Sequence, residues 1–122
     1  MAKSEKQKLK LLYIIQCLME KTDEEHAVTT QEIIDYLALQ GITAERKSIY
    51  TDIDLLTDFG MDIIKKPGRS GGYTLASRQF ELAELKLLVD AVQSSKFITT
   101  KKSRELIGKL ETLCSKYEAT QL

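Results

Sequence analysis

The sequence predicts a mainly α-helical fold carrying one small β-hairpin, and three observations predict it. Apolar residues recur at helical spacing in five separate stretches. Glycines close two of those stretches. One turn rich in Gly and Pro separates two short apolar runs. The first stretch places Leu11, Leu12, Ile15, Leu18 and Met19 on one face of a helix from about Ser4 to Glu20. Residues 22–26 have no periodicity and read as a loop, with His26 exposed in it. Thr29-Thr30-Gln31-Glu32 then precedes Ile33, Ile34 and Leu37, the pattern of a capping box: a Thr hydroxyl takes the N3 amide and Glu32 reaches back. Gly41 stops this second helix at Gln40 by taking a left-handed conformation.

Thr43 or Glu45 opens a third helix with Ile49, Ile53 and Leu56 inward, and Gly60 ends it after Phe59. Residues 61–65 and 72–75 are strand-like, and residues 66–71 between them form the turn, with Tyr73 in the hairpin core. Two further helices follow. Leu82, Leu85, Val89 and Val92 make the face of one. Leu106, Leu110, Leu113 and Tyr117 make the face of the other, capped by Thr99 or Thr100. The expected organisation is one unit over residues 1–78 and a helical hairpin over residues 79–122.

Composition excludes several classes of function. With 122 residues the chain is one domain or one domain with an appendage, and 43% apolar content supplies a core without staples. One Pro and six Gly exclude collagen-like and Gly/Pro-rich disordered chains. No apolar run approaches eighteen residues, so no membrane partner is expected, and the charged N-terminus is not a secretory signal, so a cytoplasmic location is. Two Cys and one His build neither a metal cluster nor a disulfide framework, and Cys17 and Cys114 read as small core residues. No nucleophile–base pair or paired-carboxylate site can be assembled, so the expectation is a non-enzyme without cofactor or metal. The segment Lys66 to Ser70 lacks the spacing of a phosphate loop and opens no helix.

Net charge is zero, yet its distribution is uneven. Residues 1–16 carry +3, residues 17–64 carry −8 and residues 65–80 carry +4. Steering depends on where charge lies, so the zero sum does not exclude an anionic partner. Helix, helix, tight turn, helix and basic hairpin is the order of a winged helix-turn-helix. With Ile49, Ile53 and Leu56 inward, the third helix (about 44–59) turns Arg46, Lys47, Tyr50, Thr51 and Asp54 outward. Its cations lie in the N-terminal half and its acids, Asp54 and Asp58, toward the C-terminal end. This asymmetry suits entry into a major groove N-terminus first. Arg46, Lys47 and Thr51 are the candidates for base edges. Tyr50, Lys65, Lys66 and Arg69 are candidates for backbone contact, as are Thr30 and Gln31, which open the second helix where free amides suit a phosphate. The alternative is a protein-binding winged helix, or a dimerising antagonist of a longer regulator with no DNA activity of its own.

The segments Thr29-Thr30-Gln31-Glu32-Ile33-Ile34-Asp35-Tyr36-Leu37, Arg46-Lys47-Ser48-Ile49-Tyr50-Thr51-Asp52-Ile53 and Gly71-Gly72-Tyr73-Thr74-Leu75 carry a resemblance. They are similar to the N-terminal region of bacterial WYL-domain transcriptional regulators, related to DeoR-type winged helices. The stretches Phe80 to Val92 and Phe97 to Ser103 resemble that family's linker helices. The resemblance implies sequence-specific binding to operator DNA in transcription control, usually as a dimer. It carries DNA contact over to Arg46, Lys47, Ser48, Tyr50 and the hairpin from Lys65 to Ser70. The sequence departs from the family pattern at Glu45, where Ser is frequent, and at Thr51, where Arg is frequent. It has no Trp and hence no WYL motif. Either the chain is a short natural relative or it is cut after the linker helices. A homodimer through residues 79–122 is expected, because those apolar stripes are wide for a lone pair of helices and an operator shares the two-fold symmetry of a dimer.

Overall fold

The computed structural model describes residues 3–68, 71–76 and 78–122. The protein is mainly helical with a small two-stranded antiparallel sheet. It divides into two compact units, Met1–Ser77 and Arg78–Leu122. No described helix is long and apolar enough to cross a membrane.

The first unit holds α1 (Lys3–Lys21), α2 (Thr30–Leu39), α3 (Arg46–Phe59), β1 (Ile63–Lys66) and β2 (Gly72–Leu75). Helix α2 begins with the expected capping box: Thr29 Oγ1 accepts from the Glu32 amide at 3.1 Å and Glu32 Oε1 accepts from the Thr29 amide at 3.0 Å. The stops after α2 and α3 are the expected glycines, Gly41 at φ 79° and Gly60 at φ 123°. One continuous core joins Ile14, Cys17 and Leu18 of α1 to Ile33, Tyr36 and Leu37 of α2, to Ile49, Ile53 and Leu56 of α3, and to Tyr73 and Leu75 of β2. Burial pushes the Cys17 thiol up to about 11, as expected for a thiolate that would have to form in apolar surroundings.

The buried face of α1 differs from the one the spacing suggests. Ile14 and Cys17 go inward beside Leu18, whereas Leu12 and Met19 are exposed. Apolar residues occupy two sides of this helix, and local periodicity does not tell which side meets α2 and the sheet.

The hairpin pairs Ile63 with Leu75, Ile64 with Thr74, Lys65 with Tyr73 and Lys66 with Gly72, so Lys66 belongs to β1 and not to the turn. Val28 adds a bridge on the free side of β2: its amide donates to Tyr73 O at 3.0 Å, and the Tyr73 amide donates back at 2.7 Å. This approach explains Gly72. Its φ is +150°, and a Cβ there would sit 2.3 Å from the Val28 carbonyl oxygen, so only glycine fits.

Residues 22–26 are an ordered corner. Thr22 Oγ1 donates to Leu18 O at 2.6 Å and accepts from the Leu75 amide at 3.0 Å, tying the end of α1 to β2. His26 is not simply exposed: its Nδ1 lies 2.8 Å from Oδ1 of the buried Asp23, whose amide donates to His26 O at 3.0 Å.

The second unit holds α4 (Leu82–Ser94), α5 (Thr100–Glu111) and the short α6 (Lys116–Ala119). Leu85 and Val89 of α4 are buried, and Leu106 and Leu110 of α5 are half-buried. Thr99 is the cap of α5, accepting from the Lys102 amide at 3.1 Å. The apolar spacing from Leu106 to Tyr117 suggests one helix, but the chain breaks after Glu111 and restarts. Ser115 Oγ caps the restart by accepting from the Glu118 amide at 3.1 Å.

Candidate nucleic-acid interface

Helix α3 has three sides with separate duties. Ile49, Ile53 and Leu56 are buried in the core. Arg46, Lys47, Tyr50, Thr51 and Asp54 are all exposed on the opposite side. The third side, with Ser48 and Asp52, meets α1. There Lys10 Nζ donates to Ser48 Oγ at 2.9 Å and lies 2.8 Å from Asp52 Oδ2. The Lys10 and Asp52 side chains are 11% and 14% exposed, so solvent screens this pair less than a surface ion pair. Ser48 Oγ also donates to Glu45 O at 2.9 Å. The Ser48 hydroxyl is therefore engaged inside the protein, at the joint between α1 and the start of α3.

The exposed side continues onto α2. Arg46 Nη2 donates to Gln31 Oε1 at 3.4 Å, and Gln31 Nε2 donates to Asp35 Oδ1 at 2.9 Å. This relay holds the guanidinium over the start of α2. Thr30 itself is buried, so it offers its backbone amide and not its hydroxyl. The capping box engages the amides of Thr29 and Glu32, which leaves those of Thr30 and Gln31 outside it. Glu32, however, places a carboxylate at the same helix end, against any incoming phosphate. Thr51 Oγ1 donates to Lys47 O at 3.2 Å, so its lone pairs, not its proton, face outward.

The hairpin lies beside this face. Lys65 Nζ of β1 is 3.7 Å from Asp54 Oδ1 of α3, and both side chains are well exposed. Lys66 follows, also exposed. Arg69 and Ser70 lie outside the described residues. Arg46, Lys47, Tyr50, Thr51 and Lys65 are thus gathered along one side of the first unit, with Gln31 at one end. Asp54 and the exposed Asp58 mark the acidic end of α3. Nothing in the sequence signals the pairing of Lys10 with Asp52; 42 positions separate the two, and no local pattern links them.

Among the described residues no three His, Cys, Asp or Glu side chains are grouped so as to hold a metal ion. No protein-family model, curated protein or solved structure matches the chain.

Proposed function

We propose that the chain is a sequence-specific DNA-binding transcriptional regulator of the winged helix-turn-helix type, acting in the cytoplasm on operator DNA. Arg46, Lys47 and Thr51 of α3 read base edges in a major groove. Tyr50, Lys65, Lys66 and the Thr30 and Gln31 amides hold phosphates, and the hairpin lies on the flanking backbone. The observation that carries this reading is the exposed cationic and hydrogen-bonding face of α3, directly opposite its buried face, with Lys65 of the hairpin 3.7 Å from Asp54 on that face. The resemblance to the DNA-binding region of WYL-domain regulators supports it. The partner is double-stranded DNA, bound by a homodimer formed through residues 79–122, where Leu87 and Phe97 are exposed on the second unit.

The excess of acid over residues 17–64 favours a second reading, a protein-binding module of the same architecture. One titration separates the two. Fluorescence anisotropy with mixed-sequence duplex DNA at two salt concentrations is expected to show binding that weakens steeply with salt. The Arg46→Ala/Lys47→Ala variant is expected to bind more weakly, with a log–log salt slope lower by about 0.9 for each phosphate that is no longer neutralised. Absence of binding by the wild type at low salt refutes the DNA reading and leaves the protein-binding one.

A further inference from the structure

The first turn of α3 is not held by the core. Ile49, Ile53 and Leu56 anchor the helix there, and Ile49 is the first of them. The residues before it, 46–48, carry Arg46 and Lys47, two of the three side chains assigned to base edges. No side chain caps this turn. Glu45 is the N-cap and makes no cap bond, whereas Thr29, Thr99 and Ser115 cap α2, α5 and α6. A first turn without a cap frays easily, because its amides have no partner within the helix.

Helix α1 supplies a hold from outside. Its first half lies along the turn between α2 and α3. Lys6 Nζ stands over Gly41, 3.0 Å from the place a Cβ would take, and Gln7 Nε2 donates to Thr43 O at 3.5 Å. Next along α1, Lys10 Nζ donates to Ser48 Oγ at 2.9 Å and lies 2.8 Å from Asp52 Oδ2. Ser48 Oγ carries the tie on to Glu45 O, at 2.9 Å. Ser48 and Asp52 are four residues apart and so lie on one side of α3. A single ammonium therefore spans the first two turns of the helix. Its donors point into the protein, and its side chain is largely enclosed.

We infer that Lys10 is a positioning residue for the DNA interface: with Ser48 and Asp52 it fixes the first turn of α3, and so sets where Arg46 and Lys47 meet the bases, without touching DNA itself. The inference rests on the DNA reading. Phosphate contacts give affinity for any duplex, and base edges give the choice between sequences. The clasp acts on the second and not on the first. It also gives Asp52 a use. By charge alone an acid on this helix repels DNA of every sequence; held by Lys10, it serves discrimination.

Discrimination is measured directly. The wild-type chain enriches a duplex from a DNA pool with a randomised centre. Fluorescence anisotropy then compares each variant's affinity for that duplex with its affinity for mixed-sequence DNA. Lys10→Met keeps the length of the side chain and loses the ammonium. Its affinity ratio is expected to fall at least about tenfold, the worth of one misplaced bidentate base contact. Its affinity for mixed-sequence DNA and the salt slope are expected to stay at the wild-type values. Asp52→Asn is expected to lower the ratio about threefold, although it removes a negative charge. Lys10→Arg can still donate to both acceptors and is expected to keep the ratio within about threefold of the wild type. Ser48→Ala leaves the ion pair in place, so the fold is not at risk, and is expected to lower the ratio about threefold. Circular dichroism at the titration temperature is expected to give wild-type helix content for each variant. A wild type that binds no DNA, or binds every duplex alike, refutes the sequence-specific reading and this inference with it. With a discriminating wild type, the inference alone falls if Lys10→Met and Ser48→Ala keep the wild-type ratio. A salt slope lower by about 0.9 in Lys10→Met also overturns it, because Lys10 would then neutralise a phosphate. Equal weakening of both duplexes by Ser48→Ala overturns the assignment of that hydroxyl and gives it to the DNA backbone.

Discussion

The two units bury apolar surface on different scales. In the first, side chains from three helices and both strands converge on one core, with Ile14, Leu18, Ile33, Leu37, Ile49 and Ile53 fully enclosed. In the second, the buried side chains are Leu85, Val89, Cys114 and Ser115, while Leu87 and Phe97 stand in solvent. Cooperative stability scales with the apolar area withdrawn from water. The first unit therefore has the means to fold by itself. The second is a pair of helices and a short third that gain most from a partner. The candidate interface sits on the self-sufficient unit, where its geometry is held by a core that binding does not have to create.

Substitutions can break this comparison, and the core gives the largest effect. Ile53→Ala is expected to lower the stability of the first unit by about 3 kcal/mol in urea denaturation, because the enclosed site has little room to collapse. Leu85→Ala is expected to leave that transition in place; an equal loss would mean that the two units unfold as one. Thr22→Val is next, at about 2 kcal/mol, since it leaves the buried Leu75 amide without its acceptor. The effect on amide exchange should appear first at Leu75 and Tyr73.

Two smaller effects sharpen the contrast. Thr29→Ala and Thr99→Ala each remove a helix cap, at about 1 kcal/mol. Amide exchange is expected to show the loss from Thr29→Ala throughout the first unit and that from Thr99→Ala in the second alone. Alkaline pH acts on Cys17. Its folded value of about 11 lies above the ordinary 9.0, so the unfolded chain releases its proton first. Stability from the neutral thiol is complete below pH 9 and drains away as pH rises toward 11. The stability gap between the wild type and Cys17→Ala is expected to shrink by about 1 kcal/mol from pH 9 to pH 10, measured by urea denaturation at each pH.

Local chemistry is readable from the sequence, and distant partnership is not. The capping box at Thr29 and Glu32 and the stops at Gly41 and Gly60 each depend on a few neighbouring residues and stand where the pattern puts them; the hairpin also forms, with its first strand at Ile63–Lys66 instead of 61–65. The inward side of α3 is equally plain, because Ile49, Ile53 and Leu56 face a strongly polar opposite side. Helix α1 offers no such contrast: it is apolar on both sides, and of the positions its spacing puts inward Leu18 is buried and Leu11 and Ile15 pack against the core, while Leu12 and Met19 are exposed. Across the candidate site, the exposed positions of α3 follow from helical spacing. The bond from Arg46 to Gln31 and the clasp of Lys10 on Ser48 and Asp52 depend on how helices far apart in the chain cross. The break at residues 112–115 is hidden for another reason: apolar spacing continues through it, and the Ser115 cap overrides that spacing.

The bridge between Val28 and Tyr73 bears on how such a protein diversifies. It fixes β2, one pair from the turn, to the residue just before the α2 cap, with Gly72 admitting the close approach. The register of β2 is thereby held from both of its sides. Among the described residues the strand pairing ends at Lys66 and Gly72, so the register of β2 is set by residues below the turn. A lineage can then alter the hairpin's contribution to binding by changes at the tip alone, leaving the core that supports α3 out of the trade. Insertion between His26 and Thr29 offers no such freedom, since it would shift the bridge and the cap together.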